Sequence, residues 1–230
     1  MSFDTPRFDA GRFPVPVRED LTTALRRSWA DIGRTGTWWT GPERVAIAAL
    51  ARAERIQRNE APWSRNRGEP RTALPGKAIE AARKIGADPT HLDRDWAKTT
   101  IAELGDAPYV ELASVVVTTV AADAFCEALG IEHEPLPEPE PGEPTRKRPD
   151  GMGDIGAWVP VQVVDWHRAN VARALSLVPE GVRTFFRMVV AMYSGAATDF
   201  ENMVWDHRPL SRPQVELIAA RVSALNQCFY

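Results

Sequence analysis

Apolar positions recur at helical spacing along most of the chain. Between Arg18 and Gly33 they fall at Leu21, Leu25, Trp29 and Ile32, about one turn apart, and the closing glycine suits a C-cap. A second helix is predicted from Pro42 to about Arg58, opening on Pro-Glu and carrying Val45, Ala48, Ala49 and Ile56. Helices over Leu92–Leu104 and Pro108–Leu129 follow, the latter closed by Gly130. Its stretch LASVVVTTVAADAF is apolar on nearly every side, the signature of a helix packed all round. Valines and threonines also suit strands, but the length and the alanines favour a helix. Val163–Leu177, Glu180–Tyr193 and Pro213 to about Leu225 repeat the helical pattern. No alternating strand series is visible, and the expected fold class is all-α.

Residues 132–151 break this pattern. They read EHEPLPEPEPGEPTRKRPDG, prolines alternating with glutamates before a short basic cluster. Proline lacks a backbone donor and biases its neighbours to extended conformations, so a solvated linker is expected here. It would divide folded material at 1–131 from folded material at 152–230. The loop from Asn59 to Pro75 is irregular; Trp63 and its arginines could line a pocket, or the tryptophan could simply pin the loop.

Composition narrows the classes. The 230 residues hold 28 basic and 31 acidic side chains, a net charge of −3, which leaves no basic footprint for nucleic acid. An apolar share of 44% suffices for a sizeable core. No run reaches the roughly 18 apolar residues of a membrane span, and nothing in MSFDTPRFDAGRFPVP marks the chain for export. Two cysteines, Cys126 and Cys228, cannot build a disulfide framework, so the expected compartment is a reducing cytoplasm.

One frame occurs twice. Thr40-Gly-Pro42-Glu-Arg-Val-Ala-Ile47-Ala-Ala49 and Ser211-Arg-Pro213-Gln-Val-Glu-Leu-Ile218-Ala-Ala220 share a hydroxyl residue, one position, Pro, four positions, then Ile-Ala-Ala. In it Glu216 stands opposite Val45 and Cys228 opposite Gln57, so only the second copy holds an acid and a thiol.

The segment LSRPQVELIAARVSALNQCFY resembles the entry to the redox site of the carboxymuconolactone decarboxylase/alkylhydroperoxidase D-like superfamily. Peroxidase members of that family carry Glu, eleven residues, Cys, two residues, Cys, three residues, His. Glu216 and Cys228, with eleven residues between them, match the first two elements. The sequence ends at Tyr230, one residue before the second cysteine is expected. VPEGVRTFFRMVVAMYSG is similar to the helix before that motif. Trp38–Arg55 and Tyr109–Gly130 resemble a domain of the same kind.

The resemblance implies tandem alkylhydroperoxidase D-like helical domains: a degenerate one at 1–131 and an incomplete one at 152–230, in a homo-oligomer. It implies hydroperoxide substrates and a thiol or dithiol reductant, with no cofactor and no metal. In the family the second cysteine attacks the peroxide, the first resolves it as a disulfide, and Glu and His relay protons. Cys228 thus takes the resolving position and Glu216 the relay position, while the attacking cysteine and the histidine have no counterpart. The 230 residues are expected to turn over little or no peroxide. The alternatives are a non-catalytic helical module for oligomerisation or binding, and, more weakly, a lactone decarboxylase. Cys at the next position with His four residues beyond it would favour the enzyme; a natural stop would favour the module.

A straight helix would hold Glu216 and Cys228 about 18 Å apart, so joint chemistry requires a break. Asn226 is suited to one, as the N-cap of a following helix whose first turn would carry Cys228 and lower its thiol pKa. The bland readings are a frayed terminal thiol and a solvated acid early in a helix. Cys126, near Ala122, Phe125 and Leu129, reads as core. His91, His133, His167 and His207 are scattered without metal-site spacing, and Asp165-Trp-His167 and Asp206-His207 read as chance neighbours.

Overall fold

The computed structural model describes residues 8–59, 72–164, 170–194 and 209–227, and they are mostly helical. Five helices come first: α1 (Glu19–Gly33), α2 (Gly41–Asn59), α3 (Gly76–Ala87), α4 (Arg94–Leu104) and α5 (Asp106–Ala128). A two-residue antiparallel pair follows, β1 (Met152–Gly153) on β2 (Val161–Gln162), with Gly153 opposite Val161. Then come α6 (Asn170–Arg173), α7 (Pro179–Val189) with a π-helical turn at Val190–Ser194, and α8 (Arg212–Leu225).

Helix boundaries follow local chemistry. The Asp93 side chain caps α4 by accepting the Trp96 N–H at 2.7 Å. Gly105, at φ +89°, turns the chain from α4 directly into α5, a conformation that favours glycine. At the far end of α5, Gly130 at φ +66° lets the Ile131 N–H return to the Cys126 carbonyl.

α5 is the hub, packed against α1, α2, α3, α4 and α7. Its 23 residues, with mean hydropathy 1.5 over an 18-residue window, are long and apolar enough to cross a membrane, contrary to the expectation that no such run exists. That window is 67% buried inside the protein. Leu112, Val115 and Val116 meet Trp29, Leu25 and Ile32 of α1 and Ile47 and Leu50 of α2 in the main core, which Met188 of α7 joins. A second cluster sets Ala107, Tyr109 and Val110 of α5 against Val159, Val161, Leu177 and Val178. Among the described residues, both buried clusters are thus shared between the first 131 residues and the segment after 151.

Three expectations change. Of the helix predicted over 163–177, the described residues show only α6 as helix: 163–164 are not helical and 174–177 are turns. Helix α3 was not anticipated at all. Residues 132–151 are extended as their prolines require, but they are not a free tether. Trp29 Nε1 donates to the Pro135 carbonyl at 2.8 Å, and Arg52 to the Glu134 carbonyl at 2.9 Å. The Glu140 N–H reaches Gly33, the Arg146 N–H reaches Thr37, and Arg148 forks onto both oxygens of Asp106 at 2.7 Å. The Glu134 carboxylate is buried beneath Arg12, at 2.6 Å, and also accepts the Phe8 N–H at 2.9 Å. A proline-rich strand keeps its carbonyls as acceptors, and donors from the helical body take them up. The segment is a strap.

Candidate functional site

α8 opens with Ser211, whose backbone N–H donates to Gln214 Oε1 at 2.8 Å while its hydroxyl reaches the same oxygen at 3.0 Å. Thr40 does the same ahead of α2: its N–H and hydroxyl both meet Glu43 Oε2 at 2.8 Å. The repeated Pro frame therefore corresponds to two helices begun by the same capping geometry.

One turn into α8, Glu216 points back toward α7. Its Oε2 accepts the Tyr193 hydroxyl at 2.8 Å and its Oε1 accepts Arg212 Nε at 3.3 Å, with the carboxylate side chain 44% exposed. The phenol and the guanidinium orient the carboxylate, while its open side stays accessible to solvent. α8 ends at Leu225, short of Cys228. Asn226 closes it, sending its side-chain amide back to the Val222 carbonyl at 2.9 Å, and Gln227 turns to φ +51°. The required break is present, but Asn226 acts as a C-cap and not as the N-cap expected of it. Cys228 lies outside the described residues, as do Trp63, His167 and His207.

Unlike the other long helices, α8 has no buried residue. Leu217, Ile218, Val222 and Leu225 are all more than half exposed. Cys126 is 1% exposed in the main core, and burial pushes its thiol above the usual range. The core reading of Cys126 stands. His91 pairs with Asp88 at 2.7 Å and His133 with Glu127 at 3.0 Å. Among the described residues no group of three His, Cys, Asp or Glu side chains could hold a metal ion.

A different polar cluster lies between α1, α5, α7 and the strap, and sequence reasoning missed it. Glu111 of α5 is fully buried; its Oε1 accepts Arg44 Nη1 at 2.6 Å and its Oε2 accepts the Trp38 N–H at 2.8 Å. Gly36 sits so close to this carboxylate that a Cβ there would overlap it. Arg44 also donates to the Asp31 carbonyl at 3.0 Å, and the Asp31 carboxylate is clamped by Arg187 at 2.5 Å and Arg34 at 3.0 Å. Beside these pairs is a cavity of about 380 Å³, lined further by Ser28, Ser114, Thr118 and Thr184. The only sequence signals were polar residues at positions where the α5 pattern is otherwise apolar: Glu111, Ser114 and Thr118 on one face of the helix.

Known protein families, curated proteins and solved structures provide no match to the chain.

Proposed function

We propose that the chain is an alkylhydroperoxidase D-like oxidoreductase of the carboxymuconolactone decarboxylase superfamily, with its redox site in the second half around Glu216 and Cys228. The observation that carries this reading is the setting of Glu216. It is an orientable, half-exposed carboxylate, bonded to Tyr193 and Arg212, one helix before a break in the chain that precedes a cysteine. A solvated acid needs none of these partners. The equivalent capping of α2 and α8 supports a tandem relation of the halves, the first degenerate and the second partial.

In the proposed reaction an attacking thiolate takes the terminal oxygen of a hydroperoxide, giving a sulfenic acid and, after proton delivery, the alcohol. The resolving thiol, assigned to Cys228, condenses with that sulfenic acid to a disulfide and water. A thiol or dithiol reductant then restores both thiols by exchange. Glu216 shuttles the protons. The 230 residues contain no thiol matched to the attacking position, and Cys126 is buried in the core, so this sequence alone is expected to show little or no turnover. In keeping with the family we also propose a cytoplasmic homo-oligomer that binds neither nucleic acid nor membrane.

The test is peroxide consumption with a dithiol reductant by this chain, by its Cys228→Ser variant, and by a version extended with whatever the gene encodes after Tyr230. Turnover confined to the extended version and lost in its Cys228→Ser variant supports the assignment. Multiple turnovers by the 230-residue chain would overturn it in its present form and make Cys228 a one-cysteine catalyst.

The second reading, a non-catalytic helical module, draws on the four outward-facing apolar side chains of α8. Absence of turnover in every version, together with concentration-dependent self-association in sedimentation, would favour it.

A further inference from the structure

The cavity between α1, α5, α7 and the strap has a different chemistry from the thiol site, and its lining carries a second inference. α7 runs for eleven residues from Pro179, and its N-cap, Val178, supplies no side-chain cap. The opening turn of a helix leaves N–H groups without intrahelical acceptors and forms the positive end of its dipole. Here the residues presenting them to the cavity are Glu180 and Gly181. Directly across from Gly181 stands Ser114 of α5, whose Oγ lies 2.8 Å from where a Cβ on Gly181 would be. Ser114 is only 8% exposed and lines the cavity, and its hydroxyl has no hydrogen-bond partner among the described residues. A hydroxyl that opens into a cavity without a protein partner is free to donate to a bound acceptor.

We propose that this cavity binds a small organic oxyanion, a carboxylate or a phosphate ester, with its charged end on the first turn of α7 beside Ser114. The acids around the site do not oppose this, because each is already neutralised. Asp31 is held by Arg187 and Arg34, Glu111 by Arg44, and Glu180 by Arg183. Arg34 also meets Glu140 at 3.7 Å, so these four guanidinium groups are matched by four carboxylates and the surroundings are close to neutral, leaving the positive end of the α7 dipole and Ser114 to hold the ligand's charge. A bare ion would leave most of about 380 Å³ empty, whereas a ligand of several carbons would fill it and reach the remaining hydroxyls of Ser28 and Thr118. The absence of a side chain at Gly181 keeps the approach to the amides open; an added Cβ would press on Ser114 Oγ.

The experiment follows the backbone amide resonances of Glu180 and Gly181 in the full chain, titrated separately with inorganic phosphate and with glycolate, against chloride at matched ionic strength. Saturable shifts at these two amides with at least one oxyanion are expected, absent with chloride. Ser114→Ala should weaken that binding about tenfold, the worth of one hydrogen bond to a charged group, while leaving the fold intact. Response to phosphate alone would assign a phosphate ester, and response to glycolate alone a carboxylate. Non-saturable or chloride-like shifts with both probes would overturn the proposal, as would an affinity unchanged in Ser114→Ala and in the cavity-filling Gly181→Ala.

Discussion

Replacing Glu111 with alanine would remove the one carboxylate that joins α5 to both α2 and the 36–39 loop. Two groups are then stranded. Arg44, 12% exposed, loses its one carboxylate partner among the described residues, and the Trp38 N–H loses its acceptor. Deleting one member of a buried ion pair costs about 3–5 kcal/mol, since the remaining charge stays desolvated without compensation. For a chain of this length each kcal/mol lowers the melting midpoint by roughly 2–4 °C, so a fall of roughly 6–20 °C is expected. Glu111→Gln should fall less, because the amide oxygen still serves the Trp38 N–H. The double variant Arg44→Met/Glu111→Leu removes both charges and should recover much of the loss, giving a coupling of about 1–3 kcal/mol. Thermal and urea melts followed by circular dichroism measure these proteins together with the single variants Arg44→Met and Glu111→Leu, which complete the cycle. A loss below about 1 kcal/mol in Glu111→Ala, or strict additivity in the cycle, would refute this account of the pair.

Three further outcomes follow from the packing. The Arg148 fork holds the Asp106 carboxyl below its ordinary value of 3.8, so the stability it lends is present above that value and lost as pH falls through the lower folded one. Arg148→Ala should therefore cost up to about 1 kcal/mol at pH 7, and the difference from wild type should vanish in melts near pH 2. Gly86→Ala should destabilise by about 1–3 kcal/mol in urea melts, because its Cβ would stand 2.8 Å from the Ala51 Cβ where α3 crosses α2. Cys126 should resist iodoacetamide in the native chain at pH 8, with peptide mass mapping showing it alkylated only after unfolding, since burial both covers the thiol and raises its pKa.

The helices with large apolar side chains at one-turn spacing were legible from the sequence. Leu21, Leu25, Trp29 and Ile32 define α1, and the all-round apolar run of LASVVVTTVAADAF marks α5 as central. α3 escaped because its buried face is built of Ala78, Ala81, Ala82 and Gly86 between charged residues, which gives a helix close packing without a hydrophobic signal. The 163–177 stretch misled in the opposite direction: its valines and alanines fit a helical period, but Val163, Val164 and Val171 are exposed, while Leu177 leaves a turn to join the cluster under Tyr109. The proline-glutamate segment reads the same whether tether or strap. What fixes it down is Trp29, Arg52, Arg12 and Asp106, all distant in sequence. Of the thiol site, Glu216 was legible from its spacing to Cys228, but its bond to Tyr193 required the fold. The cavity was invisible, because its groups come from four separate segments.

The most direct test of the thiol-site assignment is peptide mass mapping after one equivalent of an organic hydroperoxide is added to the reduced chain extended past Tyr230 along its own gene. If Cys228 is the resolving thiol, it should be recovered in an intramolecular disulfide, lighter by two hydrogens, and Glu216→Gln should slow its appearance about a hundredfold. Recovery of Cys228 as a free thiol after the peroxide has been consumed, or no consumption at all, would contradict the assignment.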